Sequence, residues 1–159
     1  MFHYARLMCV LALGAMALSA QVTPANTLQT TAMVGIAESQ TARLNLLNPG
    51  VQAPAGSVLC TAMVEYLDGG GTVLKTVSVT VAPVKSAGVE LHSDVDLSLA
   101  IGARREIRAT IAIPTVPSPG TAAGAVAATP ACKLIPTLEI FDSSSGRTQV
   151  VLGHVATVE

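Results

Sequence analysis

The sequence predicts an all-β protein: an antiparallel, immunoglobulin-like β-sandwich of about seven or eight strands behind an N-terminal signal helix. Three observations carry that reading. Residues 57–81, SVLCTAMVEYLDGGGTVLKTVSVTV, alternate apolar and polar side chains on both sides of a glycine turn. Similar alternating runs recur every ten to fifteen residues, without a helical period after the first twenty positions. Two cysteines, Cys60 and Cys132, remain once those twenty positions are set aside.

In the central hairpin, Val58, Cys60, Ala62, Val64 and Tyr66 share one face of an extended chain, and Leu59, Thr61, Met63, Glu65 and Leu67 the other. Beyond the turn, Val73, Val77, Val79 and Val81 lie opposite Leu74, Thr76, Ser78 and Thr80 in parity. Valine and threonine are stiff at χ1 and suit a pleated surface. Asp68-Gly69-Gly70-Gly71 supplies the positive φ values that a tight reversal requires.

Taken from the start, residues 1–20 read as a signal peptide. Arg6 supplies the charge, and LMCVLALGAMALSA is a short apolar core ending in small residues, with cleavage after Ala20 or Ala17. The rival is an uncleaved anchor, for which the apolar run is short. Residues 21–29 form a polar, flexible leader, and residues 30–156 the sandwich domain. Within it, strands are expected over 30–37, 40–47, the two arms of the hairpin, 89–99, 104–113, 132–142 and 147–154. The run 89–99 alternates most cleanly, with Val89, Leu91, Val95, Leu97 and Leu99 inward; its second half also fits a helical turn leading to Gly102. In 104–113, Ile107, Ala109, Ile111 and Ile113 face in. Asn48-Pro49-Gly50 and residues 85–88 read as turns. Residues 114–131, PTVPSPGTAAGAVAATPA, read as a long exposed Pro/Ala/Gly loop.

Cys132 shares parity with Leu134, Leu138 and Ile140, so both cysteines point at the core. An even count after export predicts one disulfide, Cys60–Cys132. Closing so long a loop stabilises the fold by about 4 kcal/mol at most in the chain-entropy model. Pro136 places its strand at an edge or beside a bulge.

Composition narrows the partners. The chain has 159 residues, a net charge of −1, 12% charged residues and 3% aromatics without tryptophan. That leaves neither the basic footprint nor the stacking platforms of a nucleic-acid binder. Tyr66 and Phe141 are the only rings after export, which disfavours a sugar platform. No run after the signal is long enough to span a bilayer as a helix.

The runs VGIAESQTARLNLLN, CTAMVEYLDGGGTVLKTVSVTVAP, REIRATI and CKLIPTLEIFDSSSGRTQVVL resemble a group of secreted bacterial proteins of unknown function, which join a signal peptide to a single small immunoglobulin-like β-domain. The resemblance implies export and architecture, and it brings no catalytic residues with it.

Chemistry is sparse. His92, Asp94 and Asp96 would project from one strand face at roughly 6.5–7 Å spacing, wide for co-ligands of a single ion. Imidazole with carboxylates suits zinc or manganese, and paired carboxylates suit calcium. A solvated strand face is the plainer reading; a partner such as His154 or Glu159 converging there would favour a metal. Arg104, Arg105 and Arg108 gather around Glu106, and Glu65 and Glu139 precede matching turns. No nucleophile elbow, P-loop or paired-histidine zinc motif is present.

The expectation is therefore a secreted or periplasmic, non-catalytic protein without cofactor or metal, bridged by Cys60–Cys132, with a binding, adhesion or structural role. Its partner would be an extracellular or cell-envelope protein or glycan. The alternatives are a fimbrial or surface-assembly subunit that pairs strands, with the leader as donor, and a metal-dependent hydrolase at His92, Asp94 and Asp96.

Overall fold

Alternation on this scale leaves each strand with one apolar face, and two antiparallel sheets close over those faces. The computed structural model describes residues 26–50, 59–117, 128–130, 132–153 and 155–158. Their strands are β1 (Asn26–Thr31), β2 (Val34–Ala37), β3 (Gln40–Leu47), β4 (Cys60–Asp68), β5 (Val73–Val81), β6 (Ser86–His92), β7 (Arg104–Pro117), β8 (Ala128–Pro130), β9 (Ile135–Asp142), β10 (Thr148–Leu152) and β11 (Val155–Val158). One sheet runs β11-β1-β7-β4-β5, with β2 and β8 also paired to β7; the other runs β10-β9-β3-β6. The result is a β-sandwich. The expected signal peptide, residues 1–20, lies outside the described residues, as do 21–25 of the leader and 118–127 of the loop.

The core follows the expected parity. Cys60, Ala62, Val64 and Tyr66 of β4 and Ile107, Ala109, Ile111 and Ile113 of β7 meet Ala42, Leu44 and Leu46 of β3, Leu91 of β6, and Leu138 and Ile140 of β9. Burying each large aliphatic side chain stabilises the fold by roughly 1.5–3 kcal/mol. The half-exposed ion pairs on the surface contribute about 1 kcal/mol at most. Burial dominates.

Directional ties then fix how the sheets sit. Cys60 is bridged to Cys132, with 5.7 Å between the Cα atoms, joining the start of β4 to the segment before β9. In an immunoglobulin domain the bridge joins two facing strands against a tryptophan; here the likeness is confined to the stacking of two antiparallel sheets. Six residues further along β4, the fully buried Tyr66 hydroxyl reaches the opposite sheet. It accepts the Leu44 N–H at 3.0 Å and donates to the Val89 carbonyl at 2.8 Å. Asn48, also buried, ends β3 and donates to the Val81 carbonyl at the end of β5 (3.0 Å). Pro136 pairs with Leu46 on one side, while on the other β10 stops at Leu152, opposite Leu138. The expected edge strand is corrected: β9 lies between β10 and β3, and Pro136 sits at its start, two residues before the Leu138–Leu152 pair that closes its ladder with β10.

Several expectations are corrected. Asn26–Gln29, expected within the flexible leader, pair with both β7 and β11, because the strand fills the space beside β7 that the core leaves open. Within the expected loop 114–131, Thr115–Pro117 pair with Ala128–Pro130. Residues 30–37 are not one strand. Between Thr30↔Thr110 and Val34↔Ile107 the β1–β2 side carries one residue more than β7, a bulge, and Thr31 Oγ1 accepts the Ala109 N–H at 2.9 Å. A second bulge, between Tyr66↔Lys75 and Leu67↔Val73, turns Val73 outward and lets Leu74 pack on the core.

The expected strand 89–99 stops at His92. Asp96 turns back to accept the His92 N–H at 2.7 Å, which leaves Val95 80% exposed. The turn expected at 85–88 sits earlier, at 82–85, where the Lys85 N–H bonds the Ala82 carbonyl (3.1 Å). Pro83 occupies its second position and Val84, at φ 52°, its third, where glycine or asparagine is preferred.

Two predictions follow from these ties. Tyr66→Phe removes the hydroxyl's buried bonds to the Leu44 N–H and the Val89 carbonyl and should cost about 1–3 kcal/mol in urea unfolding. Burial holds the Tyr66 hydroxyl well above its ordinary value near 10. Its contribution is therefore whole below pH about 10 and is lost as pH rises through the folded-state value. The phenylalanine variant should show a shallower loss of stability at alkaline pH; an equal slope refutes this. Val84 is exposed, so Val84→Asn relieves a β-branched residue from positive φ without losing burial. It should gain about 1 kcal/mol in the same measurement, and a loss would contradict the turn assignment.

Candidate functional site

His92, Asp94 and Asp96 were the sequence candidates for a metal, and the structure sends each to a different partner. Because β6 ends at His92, the three do not share a strand face. Asp96 receives Lys75 Nζ at 2.8 Å and the His92 N–H at 2.7 Å. Asp94 Oδ1 accepts the Ser39 N–H and the Ser93 hydroxyl, both at 2.9 Å. The His92 ring contacts Thr41 Oγ1 through Nδ1 (3.0 Å) and Glu90 Oε2 through Nε2 (3.2 Å). Among the described residues no three His, Cys, Asp or Glu side chains are grouped to hold a metal ion. His154 and Glu159 lie outside those residues.

What the fold does assemble is a polar patch on the outer face of the four-stranded sheet. Its register sets His92, Thr41, Phe141 and Thr148 in one row and Glu90, Arg43, Glu139 and Val151 in the next. Arg43 donates from Nε to Glu90 Oε1 at 2.8 Å, and its guanidinium lies 4.8 Å from the Phe141 ring centre. Glu139 accepts Thr148 Oγ1 at 2.5 Å and faces Asn45 Nδ2 at 3.5 Å. A chain of polar contacts runs Glu90–His92–Thr41–Ser143: an N···O approach of 3.2 Å between Glu90 and His92, then hydrogen bonds between His92 and Thr41 and between Thr41 and Ser143, the last with its oxygens 2.8 Å apart. Arg43 and Glu139 fall on expected strands, but the sequence alone does not join them. Their partners lie on strands distant in sequence, and only the register brings them together.

The order carboxylate, imidazole, hydroxyl is that of an activated nucleophile. Exposure decides against that use, because Thr41 is 1% exposed and presents no oxygen to a substrate. Ser143 is exposed, but it is one hydroxyl removed from the imidazole. The chain instead fastens β6, β3 and the turn after β9 to one another. The other sequence clusters do not add to it. Arg104 pairs with Glu106 at 3.1 Å, with both side chains largely exposed, and Glu65 faces outward on the opposite sheet from Glu139.

Comparison with protein families, with characterised proteins and with solved structures finds no match for this chain.

Asp96 carries the testable charge. Burial alone would raise its carboxyl, but the Lys75 ammonium and the His92 N–H outweigh burial and hold it below the usual carboxylate value. Its contribution is present above the unfolded-state value near 4 and is lost as pH falls through the lower folded-state value. Asp96→Asn should lower stability by about 1 kcal/mol at neutral pH, a figure discounted for partial exposure. The gap to the parent should close in acid. A gap unchanged down to pH about 2 would show that the charge is not what matters.

Proposed function

We propose that the protein is exported and acts through its surface, as a non-catalytic binding, adhesion or structural module in a secreted or periplasmic setting. The observation that carries this reading is the Cys60–Cys132 bridge, sealed inside the core. Disulfides persist in oxidising compartments, and the apolar, small-residue character of residues 1–20 supports the same route. Against catalysis stand both nitrogens of His92, already engaged, and the buried Thr41 hydroxyl. The partner proposed is a cell-envelope or extracellular protein or glycan, met on the face around Arg43 and Phe141, where a guanidinium and a ring lie side by side.

A second reading, assembly by strand pairing, is favoured by one observation: among the described residues no strand pairs with the outer edge of β5. The leader is a poor donor for it, since Asn26–Gln29 already pair within their own sheet.

Intact-mass analysis of the protein recovered from the cell envelope or medium tests export. The expected species lacks residues 1–20 or 1–17 and is two hydrogens lighter than the reduced chain. A full-length, fully reduced chain would overturn the proposal. A panel of activated esters tests catalysis; turnover that disappears in His92→Ala would replace this reading with a hydrolase.

A further inference from the structure

Among the described residues six strands have a neighbour on one side only, and five of them are poor templates for pairing, β2 and β8 because they have only four and three residues. β11 has four residues. β10 has five and is bulged between Thr148 and Val150. β6 carries Gly88 at its centre and ends in Glu90 and His92, whose side chains are tied to β3 and to each other. β5 differs. It is nine residues long, VLKTVSVTV, free of proline and glycine, and regular from Lys75 to Val81. Natural edge strands are blunted by charge, proline or bulges. The only charge on β5 is Lys75, and its ammonium is drawn onto Asp96 at 2.8 Å instead of guarding the edge.

We propose that the β5 edge pairs with β5 of a second copy, antiparallel about a two-fold axis at Ser78. The inference deepens the assembly reading and rests on it. The strand itself specifies the occupant, because its sequence is nearly symmetric about that residue. A two-fold there sets Ser78 against Ser78, Val77 against Val79, Thr76 against Thr80 and Lys75 against Val81. Hydroxyls meet hydroxyls on the outer face, as Thr61 and Thr80 already do within one chain at 2.9 Å. Valines meet valines on the core side. The two lysines stand at opposite ends of the paired segment, so no like charges oppose. A closed, isologous contact of this kind stops at two copies, while an unrelated strand would lack the matched pattern. The paired edge is short, so association is weak and concentration-dependent.

Light scattering on the mature, disulfide-bonded chain across a concentration series should show monomer passing to dimer and no larger species. Ser78→Cys places two thiols across the axis, where either type of antiparallel pair brings the Cα atoms within disulfide range. Under mild oxidation it should give a covalent dimer. Thr80→Cys, whose counterpart stands roughly four residues, or about 13 Å, away, should not. Ser78→Lys, at an exposed position, should remain folded and monomeric. A monomer at every concentration overturns the inference and the assembly reading together. Dimers that persist in Ser78→Lys, or that cross-link no better through Ser78→Cys than through Thr80→Cys, overturn the β5 pairing and leave assembly through another surface.

Discussion

The Tyr66 hydroxyl, held between the Leu44 N–H and the Val89 carbonyl, is the constraint on which the stacking of the two sheets depends. Apolar burial supplies most of the stabilisation, but it is non-directional and would tolerate a slide of one sheet over the other. A hydroxyl that must meet two backbone groups in the dry core tolerates none, because a shift leaves it buried without a partner. The Cys60–Cys132 bridge sits at the other end of the same inward row of β4, about 20 Å along the strand. Two points that far apart fix a rotation as well as a position. Asn48 adds a third tie, from the end of β3 to Val81.

Much of this was legible in parity. The inward rows of β3, β4, β7 and β9, and the inward aim of both cysteines, follow from a period of two. The failures share a cause: each depends on an interaction that alternation does not encode. The run 89–99 keeps its pattern past His92, yet Asp96 turns back on the His92 N–H and ends the strand. Val73 has the right parity but lies beyond a one-residue bulge. Asn26–Gln29 and Ala128–Pro130 have the composition of exposed chain and are strands because β7 offers them a ladder to pair with. The patch around Arg43 was legible in its residues and hidden in its partners. Glu90 lies 47 residues from Arg43, and Ser143 lies 102 from Thr41.

The two hairpin turns show local chemistry deciding a local outcome. MVEYLD and TLEIFD both end on an aspartate whose Oδ1 turns into the loop. Asp68 accepts the Gly70 and Thr72 N–H groups at 2.9 and 2.8 Å. Asp142 accepts the Ser144 and Ser145 N–H groups and both hydroxyls, at 2.7–3.0 Å. These bonds favour the charged form, and that of Asp142 is pulled down to about 2. A glycine at positive φ follows in each turn, Gly71 and Gly146. The likeness of the two hairpins is explained by shared turn chemistry and needs no internal duplication.

The two outer faces are unlike, and the difference bears on what each can meet. On the four-stranded sheet, the Arg43–Glu90 ion pair, with the His92 ring against Glu90 and the Glu139 carboxylate in the same row, is costly to desolvate. Pairing in place leaves it stable against water, so it suits reversible contact with a polar surface. On the other sheet, the outward pairs beside the β5 edge are Thr61 with Thr80, Met63 with Ser78 and Glu65 with Thr76, so the edge is neutral from Ser78 to Thr80 and carries one carboxylate beside Thr76. Neutral hydroxyls can trade water for one another at little cost, and a neighbouring strand brings backbone partners with it. On the proposal made above, a single small sandwich would associate through the hydroxyl-bearing part of its β5 edge while the charged patch around Arg43, on the other layer, stays open to solvent.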